Sequence, residues 1–189
     1  MTGFENDIEK CLEMLKAGGL ILYPTDTIWG IGCDATNEKS AEKIYKLKRR
    51  SDEKAMIVLV ADEKDILRHV AAPDLSLLDY LGKTIKPTTV VYEGALGFAG
   101  NIVATDGSIA IRICKDDFCR QLIKRFRKPI VSTSANISGI PAPKTFKEIS
   151  DEIKKGVDYV VEYKREDETS AQPSSLIKWE NGKIIVLRN

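Results

Sequence analysis

Histidine is nearly missing from this 189-residue sequence; His69 stands alone. A zinc site would then need carboxylates or scattered thiols, and a Ser-His or Cys-His nucleophile pair would have to use that one imidazole. The four cysteines (Cys11, Cys33, Cys114 and Cys119) form no CxxC pair, which suits reduced, buried thiols in a cytoplasmic protein. Long apolar runs are lacking as well: the longest, Ala55 to Ala61, falls far short of the ~18 residues that span a bilayer. The first residues carry acids (Glu5, Asp7, Glu9) where a signal peptide carries bases, so neither a membrane nor a secreted role is expected. Charge of one sign is missing too. Lys and Arg total 29 against 28 Asp and Glu, which excludes a nucleic-acid binder running on bulk positive charge but leaves room for a local basic cleft. Neither a GxxxxGK[ST] P-loop nor a GxSxG elbow occurs, and no repeat, low-complexity tract or exposed apolar stripe stands out.

What is present is an ordinary globular composition, 43% hydrophobic and 30% charged. The length suits one domain over residues 1–189. Apolar spacing predicts helices over 4–17, Glu38–Leu47 (with Asn37 as N-cap), 63–69, 74–81, 116–127 and 145–154. Short apolar runs predict strands over Leu20–Tyr23, Met56–Val60, Thr89–Tyr92, Ser108–Ile113, Ile130–Ser132, Tyr159–Val161, Ser175–Trp179 and Ile184–Leu187. The alternation argues for an α/β sheet with flanking helices, and Glu180-Asn-Gly182 between the last two strands signals a hairpin, so the sheet should be mixed.

Four segments carry candidate chemistry. Gly30-Ile-Gly32-Cys-Asp-Ala35 fits a dinucleotide fingerprint formally, but six residues separate it from the preceding strand and Asp34 would meet the pyrophosphate. Pro24-Thr25-Asp26-Thr27-Ile28-Trp29-Gly30 lies at the carboxyl end of a strand, where ligands gather in open α/β sheets, although its residues also suit a plain turn. Lys46-Leu-Lys48-Arg49-Arg50 reads either as bases complementing a helix C-terminus or as a phosphate clamp. Ser132-Thr-Ser134-Ala-Asn136-Ile-Ser138-Gly139 is a dense set of neutral donors and acceptors suited to a phosphate or a base edge.

Taken in order, these segments resemble the YrdC-like family of threonylcarbamoyl-AMP synthases. The PTDT segment ends in Trp29-Gly30, Lys48-Arg49-Arg50 matches a KxR motif, and Ser134-Ala135-Asn136 matches SxN. Arg112 on a central strand, Ser174-Ser175 and Arg188 complete the series. The resemblance implies an open, twisted mixed sheet with flanking helices and a basic concave face, in the family's short, single-domain form. It further implies synthesis of threonylcarbamoyl-AMP and pyrophosphate from L-threonine, bicarbonate or CO2, and ATP with Mg2+. Its product would go to downstream proteins that modify tRNA. By the same resemblance Lys48 and Arg50 are catalytic and hold ATP phosphates, together with Lys54, Ser108, Ser134, Asn136 and Arg188. Thr27, Arg112, Ser132 and Ser174 would hold threonine, and no protein metal ligand is implied. The sequence departs from the family pattern at Leu59, where a histidine is usual, and at Lys54 and Ala142. The alternative is a non-catalytic module that binds tRNA or other RNA through a Lys46–Arg50 basic cleft.

Overall fold

Alternating apolar strands and amphipathic helices build one nine-stranded sheet in a computed structural model that describes residues 3–50, 56–169, 172–180 and 182–189. The strands are β1 (Ile21–Tyr23), β2 (Gly30–Gly32), β3 (Ile57–Val60), β4 (Thr88–Tyr92), β5 (Ile109–Ile113), β6 (Ile130–Ser134), β7 (Tyr159–Val160), β8 (Ser175–Glu180) and β9 (Lys183–Arg188). Their spatial order is β7-β1-β2-β6-β3-β5-β4-β8-β9. Three neighbouring pairs are parallel (β1/β7, β3/β5, β4/β8) and the other five antiparallel, so the sheet is mixed as the hairpin signal predicts.

The helices are α1 (Glu5–Lys16), α2 (Glu38–Lys48), α3 (Glu63–His69), α4 (Leu75–Lys83), α5 (Asp117–Phe126) and α6 (Asp151–Lys155). Helix α1 buries Ile8, Cys11, Leu12 and Leu15 and packs on α5, where Phe4 meets Phe118 edge to face with ring centroids 5.5 Å apart. Asn37 caps α2 as expected, its side chain accepting from the Ser40 amide at 3.2 Å. All four thiols are buried and unbridged. Among the described residues no helix is long and apolar enough to cross a membrane.

Three expectations need correction. The 145–154 helix is broken into a 3-10 turn at Phe146–Glu148 and α6, because Ser150 caps a new helix by accepting from the Ile153 amide. Gly30–Gly32, read only as a weak fingerprint, is strand β2, paired with β1 and β6. An apolar stripe does exist: β9, the last strand of the sheet among the described residues, exposes Ile184, Ile185, Val186 and Leu187, each 39–54% accessible.

Candidate active site

Successive strand side chains point to opposite faces, so directly opposed residues share one. Ser132, Ile57, Ala110 and Val91 form one row across β6, β3, β5 and β4. Leu59, Arg112, Thr89, Leu176 and Arg188 form the next. The alternate residues Val58, Val90, Ile111 and Ile177 are buried on the other face. Polar groups thus interrupt otherwise apolar strands on a single face. There they line a cleft of about 460 Å³, whose charged lining residues among those described are Arg50, Arg112 and Arg188.

The PTDT segment closes one end. Arg112, 4% exposed, donates from Nη2 to Thr27 Oγ1 at 3.2 Å. The Thr27 and Thr25 hydroxyls lie 3.0 Å apart, and Thr25 donates to the Ile28 carbonyl, so the protons run in one direction from guanidinium to backbone. Asp26 Oδ1 lies 3.1 Å from Arg112 Nη2, a buried ion pair that offsets the cost of taking the guanidinium out of water. Arg112 Nε has no hydrogen-bond partner among the described residues. On the far side, Thr89 and Ser174 share a buried hydroxyl contact of 2.7 Å, and Arg188 Nη2 donates to the Ser174 carbonyl at 3.1 Å.

The KxR segment divides its two cations. Helix α2 ends with Arg49 left-handed (φ 50°), the Arg49 amide donating to Lys46 and the Arg50 amide to Tyr45. That turn sends Arg49 out to Glu152 at 2.7 Å and Arg50 into the cleft, 3.4 Å from Thr133 Oγ1. Lys48, 2% exposed, points inward instead. Its Nζ donates to the carbonyls of Ser134 and, at 2.6 Å, of Asn136. Burial, and then the nearby Arg50 charge, pull its pKa down to about 8. Asn136 turns its own amide onto the Ile137 and Ile140 carbonyls.

Of the residues expected from the sequence, Thr27, Arg50, Ser108, Arg112, Ser132, Ser134, Ser174 and Arg188 therefore line one cleft. Lys48 and Asn136 stand behind its wall, and Lys54 lies outside the described residues. Within Lys46–Arg50, Lys46 pairs with Glu42 at 2.6 Å, Arg49 pairs with Glu152, Lys48 is buried and Arg50 lines the cleft. Thr89 and the pairing of Asp26 with Arg112 are added by the structure. Thr89 is legible from alternation with the buried Val90, whereas the pairing of Asp26 depends on a contact across 86 positions that no local pattern carries.

A family model, Sua5_yciO_yrdC, described as "Telomere recombination", matches residues 13–189. A curated protein of Methanocaldococcus jannaschii is 36% identical over 189 residues, covering 97% of this chain and 87% of its own. Threonylcarbamoyl-AMP synthase of Stenotrophomonas maltophilia is 28% identical over 184 residues, covering 96% and 98%. The structure of P. abyssi Sua5 complexed with L-threonine superposes with a TM-score of 0.85 at 20% identity. It covers 97% of this chain but only 54% of Sua5, so the chain spans about half that protein's length.

Proposed function

Given that the chain belongs to the Sua5/YciO/YrdC family, we propose that it is a threonylcarbamoyl-AMP synthase acting on L-threonine, bicarbonate or CO2, and ATP. The observation that carries this reading is a cleft that, among the described residues, has three arginines as its charged lining together with a set of hydroxyls, and no carboxylate. Such walls suit two anions of different shape, an amino-acid carboxylate and a polyphosphate.

Arg112 takes the threonine carboxylate, with its orphaned Nε the donor such a ligand would satisfy. Thr27, Ser132 and Ser174 surround the rest of the amino acid. Arg50 and Arg188, with Ser108 and Ser134, hold ATP. Lys48 positions the Ser134–Asn136 turn from behind instead of touching phosphate. The neutral threonine amine adds to CO2 and loses a proton, giving a carbamate. One carbamate oxygen attacks the α-phosphorus and pyrophosphate leaves. Charge grows on the phosphoryl oxygens and the leaving group, where fixed guanidinium groups stabilise the transition state. Bringing three small reactants together supplies much of the remaining rate. Magnesium would arrive on the phosphates of ATP.

Mass spectrometry of the protein incubated with ATP, magnesium, bicarbonate and threonine, with each omitted in turn, tests the reading. Threonylcarbamoyl-AMP should form only in the complete mixture. Arg50→Ala should slow its formation by about 100-fold or more, as loss of a donor to developing charge does elsewhere. Arg112→Ala should raise the KM for threonine while ATP binding persists. Absence of product with ATP bound would refute the assigned reaction.

A further inference from the structure

A second cavity of about 290 Å³ lies between α3 and the C-terminal end of α5 and shares no residue with the cleft. Five cations line it: Lys64, Arg68, Lys124, Arg127 and Lys128. The two carboxylates in its wall are already engaged. Asp62 caps α3 through the Lys64 amide, and Asp65 accepts from the Ala61 amide at 3.0 Å and meets Arg68 at 3.4 Å. Lys128 pairs with Asp34 at 2.6 Å. No ion pair holds Lys64, Lys124 or Arg127 among the described residues. Lys124 and Arg127 complement the C-terminal dipole of α5, but Lys64 sits in the first turn of α3, where the dipole disfavours a cation. Helix electrostatics therefore leave Lys64 unexplained.

We propose that this cavity binds a compact oligophosphate group, independently of the cleft. Several cations converging on one concavity suit a di- or triphosphate, whereas an extended nucleic-acid backbone calls for a stripe of cations. Arg127 supplies a convenient probe, because its left-handed backbone (φ 61°) accepts glycine without strain.

The test is titration with inorganic tripolyphosphate, followed by calorimetry and by backbone amide NMR shifts. In the wild type, amides at Lys64, Lys124 and Arg127 should shift at a site distinct from the cleft. Arg127→Gly and Lys124→Gln should each weaken that site about tenfold, the loss of one charge-assisted contact, and leave cleft shifts unchanged. Shifts confined to cleft residues, or identical binding by both variants, would overturn the proposal. So would a short RNA duplex that binds through these residues when tripolyphosphate does not.

Discussion

At Lys48 the spacing of the motif and the direction of the side chain part company. KxR spacing suggests two cations on one anion, but the left-handed Arg49 between them turns one outward to the cleft and leaves the other beneath it. No sequence pattern distinguishes those outcomes, because Arg49 occupies a position where glycine is the usual signal. The buried ammonium loses its proton as pH rises through about 8. ATP affinity should then fall over the same range, as the Ser134–Asn136 turn loses a charge-assisted bond, and Lys48→Met should bind weakly with no such alkaline limb. Stability should move the other way. Between about 8 and the ordinary 10.5, the unfolded chain holds a proton that the folded chain does not, so this group's contribution to stability rises with pH. Nucleotide titrations and denaturant melts from pH 7 to 10 would separate the two, and an unchanged affinity across that range would remove the positioning role.

At the scale of elements, the long helices and apolar strands were legible because periodicity and capping agree. Strand β2 was not, since two glycines in three residues are strand-poor by every propensity. Its glycines answer a packing demand instead. A Cβ on Gly32 would lie 2.6 Å from the Tyr23 ring and 2.9 Å from the Val131 carbonyl. Tyr23 is fully buried and donates to that same carbonyl, so neither neighbour can withdraw easily. Gly32→Ala should cost about 1–3 kcal/mol through overpacking, read from the denaturant midpoint. A neutral result would mean that β1 and β2 can spread apart.

At the scale of the molecule, the mixed sheet was legible from one hairpin signal, while the strand order was not, because most pairings join distant segments. The outer edge of β9 is where that order leaves a liability: four exposed apolar residues on a strand that, among the described residues, pairs only with β8, flanked by Lys183 and Arg188. Ile185→Lys should change folding stability by less than about 0.5 kcal/mol, as exposed positions generally do. Light scattering of concentrated protein should fall in the variant. A large loss of stability would show that the strand is covered in solution.

Strand β6 lies between β2 and β3 and joins β7-β1-β2 to the other five strands. Both halves of the cleft therefore wait on a segment that the ribosome makes after most of their own residues. Thr27 and Arg188, almost the full length of the chain apart, line the same cleft across that seam. Such distant pairings make folding slow, on the order of milliseconds to seconds. For a newly made molecule the cleft therefore costs more chain closure than any of the helices that surround it.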